Sequence, residues 1–276
     1  SSTTTTGPRM TLMLRNSFTK WLWDYRRSMI TWVLSIAGVG AMYAAFWPTM
    51  DNPAMRELLE NYPDELLEAL NYTDIASPAG YLNATVYGLV VGLLTVVYSV
   101  SAGARSIAGD EEAGTLDLVL AHPLSRVKLG LQRFAAFLVS AAAISIVLLV
   151  FLLLLSGPAR LEGISMSSYL AQHLHLFLFA ALFGAVGFGV GAATGRRGLA
   201  IGVGAGFAVF GFAANGILSQ IDGLEWVEGF SPFNWLNGGS PLQNGIQTGD
   251  VLVMAGLTVV LVSLGLWAFS RRDIAV

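Results

Sequence analysis

The sequence predicts an all-α membrane protein that crosses the bilayer six times. Three observations predict it. First, 54% of the 276 residues are hydrophobic and only 12% are charged, about half the charged share of a soluble domain, and the mean hydropathy is +0.63. Second, the charges are bunched, which leaves six runs without Asp, Glu, Lys or Arg at 28–47, 81–104, 134–156, 168–194, 198–218 and 251–270. Each is close to the ~20 residues that a helix needs to cross hydrocarbon. Third, the runs do not alternate polar and apolar residues at period two, as strands of a membrane barrel would.

Lys and Arg set the expected orientation. Thirteen of the fifteen, from Arg9, Arg15, Lys20, Arg26 and Arg27 through Arg105, Arg126, Lys128 and Arg133 to Arg196, Arg197, Arg271 and Arg272, fall on one side of a six-span path. Only Arg56 and Arg160 fall on the other. This bias places both termini, the second–third loop and the fourth–fifth loop in the cytoplasm. The chain is expected in a cell membrane, most simply a prokaryotic plasma membrane. The net charge of −3 says little beside this distribution. No cysteine is present, so disulfide scaffolds, thiolate metal sites and cysteine nucleophiles are excluded.

Taken in order, residues 1–8 read as a polar, disordered tail and 9–276 as a single transmembrane domain. Its first apolar run begins too far in, and is too long, for a cleavable signal peptide. Within 9–27, Leu14, Phe18, Trp21 and Tyr25 recur at spacings of four, three and four, an apolar stripe. Arg15, Lys20, Arg26 and Arg27 lie mostly off it. This suits an interfacial helix against anionic headgroups; the other reading is a positive flank of the first span. The outer loop 48–80 carries Pro53 and Pro63 at positions that open short helices, with Leu58, Leu59, Leu66, Leu67 and Leu70 beside Glu57, Glu60, Asp64, Glu65 and Glu68. Two short amphipathic helices are expected there. The outer loop 219–250 mixes Trp226, Phe230, Phe233 and Trp235 with Pro232 and Pro241; it either dips into the membrane as a re-entrant segment or lies at the interface. The series Gly187-x-x-x-Gly191-x-x-x-Gly195 and Gly198-x-x-x-Gly202-x-x-x-Gly206 are ridges of small residues that let helices approach closely in lipid, within the chain or between subunits.

Catalytic and ion-coupling signals are weak. The sequence has no G-x-x-x-x-G-K-[ST] phosphate loop and no H-E-x-x-H zinc helix. His173 and His175 are two residues apart and diverge on a helix; they read as interfacial polar residues at the outer end of the fourth span. The spans hold no Asp, Glu, Lys or Arg, which counts against proton or ion coupling. A channel, or a secondary transporter without a dedicated ATPase, is the alternative reading. Nothing points to nucleic acid.

The loop 105–130 is different. It holds three consecutive acids, Asp110, Glu111 and Glu112, then a break at Gly114, then Thr115 and a short helix with Leu116, Val119 and Leu120 on one side. Pro123 ends that helix, and Ser125 can cap the next one. A loop of this kind serves either as a solvated hairpin or as a docking element for a soluble partner. The run Gly109-Asp-Glu-Glu-x-Gly-Thr-Leu-x-x-Val-Leu-x-x-Pro-Leu-Ser-Arg126 resembles the pattern of type-2 ABC exporter permeases, an E-E-x-x-G-T-L core followed by P-x-S-R between the second and third spans. With Asp110-Glu111 as the acidic pair, the spacing fits. Tyr62-Pro-Asp-Glu-Leu-Leu-Glu-Ala-Leu70, Ser231-Pro-Phe-x-x-Leu-x-Gly-Gly-x-Pro-Leu-x-Asn-Gly245 and Arg271-Arg-Asp-Ile274 resemble the same family.

The resemblance implies a coupling helix that seats in a groove of an ATPase, with Asp110, Glu111, Glu112, Gly114, Thr115, Leu116, Leu120, Pro123 and Arg126 at or near that contact. It implies two ABC ATPase subunits on the cytoplasmic side, a second permease (identical or a paralogue), and ATP and Mg bound by the ATPase rather than by this chain. It implies export, and the apolar spans suit a hydrophobic or amphipathic cargo such as a drug, antibiotic or lipid.

Overall fold

The computed structural model describes residues 16–54, 57, 61, 63, 77–116 and 125–272. Among them six helices are long and apolar enough to cross a membrane, and no strand is present. The first span is the helix Ser17–Ala45, the second Pro78–Arg105, the third Arg126–Leu155, the fourth Met166–Thr194, the fifth Arg197–Gly216 and the sixth Thr248–Arg271. Local chemistry sets their starts. The side chains of Asn16, Ser125 and Ser165 accept from backbone N–H groups in the first turns of the first, third and fourth spans, which would otherwise be left unpaired. Pro78, preceded by the capping Ser77, opens the second.

The apolar stripe near the N-terminus does not form a separate interfacial helix within the described residues. The helix runs unbroken from Ser17 into the first span. Trp21 is 2% exposed, and Phe18 and Tyr25 pack against the same core. The stripe faces the chain's own body because the second span ends beside it with Arg105, whose guanidinium lies 4.8 Å from the centre of the Tyr25 ring. Residues 1–15 and most of the outer loop 48–80, including the expected amphipathic helices and Tyr62–Leu70, lie outside the described residues.

The fourth span is the central post, packed against the second, third, fifth and sixth, while the first packs mainly on the third. Backbone contact explains its position. A Cβ on Gly103 would overlap the carbonyl oxygen of Gly184, and one on Gly187 would overlap that of Val100. One on Gly265 of the sixth span would sit 2.7 Å from the Cα of Gly189. Such contacts let dispersion act over whole helix faces, the main attraction between helices in lipid. Gly187 and Gly191 of the first glycine ridge are therefore internal packing between the second and fourth spans, while Gly195 lies against Glu111 and Arg272. The second ridge is not packed in this way: Gly198, Gly202 and Gly206 have nothing within 4 Å of an added Cβ.

The 219–250 loop turns inward. Ser231 and Pro232 start a short helix, Pro232–Asn237, whose Pro232, Phe233, Trp235, Leu236 and Asn237 are all buried. Phe233 meets Phe179 of the fourth span at 5.3 Å between ring centres and Phe212 of the fifth at 5.5 Å. Phe179 lies thirteen residues into its helix, roughly 20 Å at about 1.5 Å per residue. The loop thus folds onto the chain's own fourth and fifth spans rather than away from them. Its carbonyls, removed from water, are met by side chains. His175 Nδ1 donates to Trp235 O at 2.8 Å, Gln172 Nε2 to Leu236 O at 3.3 Å and Asn83 Nδ2 to Asn237 O at 3.3 Å. His175 Nε2 accepts from the Gln247 N–H at 3.2 Å. His173 points elsewhere, with Nδ1 at 2.7 Å from Tyr169 O and Nε2 at 3.4 Å from the Tyr87 hydroxyl. The two histidines diverge as their spacing requires, but both are buried rather than interfacial. Opposite the inserted helix, residues Leu82–Val91 of the second span form a π-helix. This wider coil carries Asn83 to Asn237 of the inserted helix and Tyr87 to His173.

Two expectations test this packing. Gly187→Val should destabilise the detergent-purified protein by about 1–3 kcal/mol through overpacking, whereas Gly256→Val, with open space around it, should leave the midpoint of thermal unfolding almost unchanged. His175→Leu should cost about 1–3 kcal/mol by leaving Trp235 O unpaired, which the same thermal scan reads.

Candidate functional site

The second–third hairpin sits at the end of the bundle that carries most of the arginines. Its described helix is Ala108–Glu112, on the acidic stretch before the glycine, while the short helix expected after the glycine lies, apart from Leu116, outside the described residues. Gly114 takes φ +65, a left-handed conformation that glycine adopts without a Cβ clash. It reverses the chain so that Thr115 N–H donates back to Asp110 O at 2.9 Å. Leu116, expected on a face for a partner, is 2% exposed and belongs to the chain's own core. Leu120 and Pro123 lie outside the described residues. Ser125 caps the third span as its position predicts, accepting from Lys128 N–H at 3.2 Å.

The acids are divided by direction. Asp110 pairs with Arg133 of the third span at 2.5 Å. Glu111 receives both terminal nitrogens of Arg272, just past the sixth span, with Nη1 to Oε1 at 2.6 Å. The Glu111 side chain is 7% exposed. Glu112 is exposed, and its Oε1 accepts from the N–H of Arg197, the first helical residue of the fifth span, at 2.8 Å.

The arginines in turn close helix ends. The second, fourth and sixth spans finish here, each leaving C-terminal carbonyls without helical partners and the negative end of its dipole. Arg133 Nη1 donates to Ser106 O beyond the second span at 2.9 Å. Arg272 Nε donates to Ala192 O in the last turn of the fourth at 3.1 Å. Arg126 Nη1 donates to Phe269 O and Arg272 O, at the end of the sixth, at 3.2 and 2.6 Å. Phe269, fully buried, has the guanidinium groups of Arg126 and Arg272 at 5.8 and 5.9 Å from its ring centre. The cluster therefore alternates in sign: carbonyl ends, guanidinium groups over them, and carboxylates over two of those. Glu112 completes the pattern with a carboxylate at the positive end of the fifth span.

Gly195 shows how closely the parts fit. It ends the fourth span at φ +67. A Cβ there would lie 2.5 Å from Glu111 Oε1 and 2.7 Å from Arg272 Nη1. In the sequence, Arg133 and Arg197 serve only as topological markers, Arg272 stands in a family-like motif and Gly195 in a ridge of small residues, and nothing there pairs them with the acids or with the carbonyls of Ser106 and Ala192. The available signals are an arginine directly after an apolar run and a glycine at its end.

Of the residues expected at a partner contact, the structure thus turns Asp110, Glu111, Leu116 and Arg126 toward the chain itself and leaves Glu112, Gly114 and Thr115 exposed. Arg196, Arg197 and Leu199 of the neighbouring turn are also exposed.

A helical body of six spans, with one hairpin fastened to its helix ends and a second loop folded into its interior, defines a multi-pass membrane protein. The chain belongs to the ABC-2 family of transporter proteins, whose family model matches residues 16–274. It is accordingly an ABC transporter permease, the membrane subunit of a system that works with an ATPase partner. Permeases of this family are generally not the catalytic chain. None of the curated proteins compared with the chain matches it.

Arg126→Met should leave the Phe269 and Arg272 carbonyls unpaired and cost about 1–3 kcal/mol. Lys128→Met, on the exposed side of the same turn, should stay within about 0.5 kcal/mol of the parent. Thermal unfolding in detergent separates the two.

Proposed function

We propose that this permease exports a hydrophobic or amphipathic substrate, and that its ATPase docks on the exposed lip of the second–third hairpin. The observation that carries this reading is the hairpin itself. Asp110, Glu111 and Leu116 tie its described part to the bundle, so that Glu112, Gly114 and Thr115 stand out as a supported projection. A supported projection transmits force, where a floppy loop would absorb it. In this reading the hairpin end is cytoplasmic, as the thirteen-to-two distribution of Lys and Arg favours, and the inserted helix Pro232–Asn237 lies toward the outer side.

Two ATPase subunits, binding ATP and Mg, serve a pair of permeases, and their closure drives the pair between inward- and outward-facing arrangements. The outward-facing Gly198, Gly202 and Gly206 ridge of the fifth span leaves a smooth surface for such pairing. The absence of Asp, Glu, Lys and Arg from the six apolar runs favours a drug-, antibiotic- or lipid-like cargo over an ion or sugar. ATP energises the system in place of an ion gradient.

The test uses the exposed lip and spares the buried acids. Ala113→Arg combined with Thr115→Arg should abolish copurification of a co-expressed ABC ATPase while membrane insertion and thermal stability stay unchanged. Undiminished copurification would refute docking at the lip. The purified chain alone should hydrolyse no ATP.

A further inference from the structure

Glu111 and Arg272 form a nearly buried, two-pronged ion pair between the hairpin and the end of the sixth span. Such pairs are a poor source of net stability, because desolvating the charges offsets most of their attraction, and apolar replacements are often as stable. Their best-attested use is to fix one register among several. A fork of two parallel bonds is satisfied in one relative placement only. Here that placement joins three elements. Arg272 binds Glu111 with its terminal nitrogens and Ala192 O of the fourth span with Nε. Gly195 leaves room for the pair directly beneath the fourth span's end. Arg126, returning from the hairpin, holds the Arg272 carbonyl.

The sixth span runs as one uninterrupted helix from Arg271 back to Thr248. The residue before it, Gln247, donates its N–H to His175, which also holds the inserted helix at Trp235 O. A continuous hydrogen-bonded route therefore joins the hairpin to the inserted helix at the opposite end of the molecule.

We infer that Glu111 and Arg272 are positioning residues that clamp the hairpin to the fourth and sixth spans, so that a push on the hairpin moves the sixth span and, through it, the loop at the far end. This rests on the proposed docking of the ATPase at the hairpin. The clamp adds that docking and transmission reside in different residues, Glu112 to Thr115 for the first and the Glu111–Arg272 pair for the second.

The absence of native cysteine permits a single reporter. Ile246→Cys places an exposed thiol just before the sixth span. Its rate of labelling by a polar maleimide is measured in the permease–ATPase complex in lipid nanodiscs, with and without ATP plus vanadate. The parent should show a severalfold change on nucleotide trapping. Glu111→Gln, which keeps size and removes the charge, and Arg272→Gln, which removes both the charge and the fork, should each lose that change while the ATPase still copurifies. Arg272→Lys, which keeps the charge but not the fork, should retain part of it, and Arg271→Gln, next to the clamp but outside it, all of it. A full response in both carboxamide variants overturns the clamp, as does an equal loss in Arg271→Gln. Failure of the parent chain itself to bind the ATPase overturns the docking reading instead, so the two ideas fail separately.

Discussion

The structure depends on how helix ends are satisfied where water is scarce. A spanning helix pairs its own backbone groups except at its ends, where carbonyls and N–H groups remain. At the basic end, three spans terminate close together, and their carbonyl ends would accumulate partial negative charge in one place. Arg133, Arg272 and Arg126 each meet one of them. Three arginines packed this closely would repel one another, and Asp110 and Glu111 answer two of them. The acid triplet is thus the last layer of a charge balance that begins with the backbone.

The same constraint shapes the other end, with different chemistry. The inserted helix Pro232–Asn237 brings its carbonyls into the bundle, and these are met by neutral donors, His175, Gln172 and Asn83. Neutral donors suffice because a single short helix has a small dipole. A bare cation would face the cost of desolvation without a carboxylate to offset it. The fourth span supplies groups to both clusters, His175 and Gln172 at one end and Ala192 and Gly195 at the other. Its glycines bring the second and sixth spans close enough for those side chains to reach.

Much of this was legible in the sequence. Six charge-free runs and a sided distribution of Lys and Arg give the spans, because hydrocarbon imposes length and composition directly. Ser125 as a cap and Gly114 as a turn were legible because each acts on its immediate neighbours. The continuation of the first helix through Trp21 and Tyr25 was not legible, since an amphipathic stripe looks the same whether it faces lipid or the chain's own Arg105. The burial of His173 and His175 was likewise hidden, because their partners at Trp235, Gln247 and Tyr87 are sixty or more residues away. The pairing of Glu111 with Arg272 spans 161 residues, and no local pattern encodes a contact over that separation.

The division of the acid triplet changes what a substitution there reports. Glu111 and Glu112 are adjacent in sequence, yet one carboxylate faces the sixth span and the other accepts from the fifth at the surface. Reversing the charge of both would break internal packing and alter the exposed lip together, so a loss of partner binding would not identify the contact. Ala113 and Thr115 are free of this ambiguity: both are exposed, and the described hydrogen bonds of Thr115 return to Asp110 O within the same turn. The hairpin therefore has an inner side that belongs to the bundle and an outer side that the bundle does not use. A docking element needs that arrangement, because a surface already committed to holding the helices together cannot also be given up to a partner.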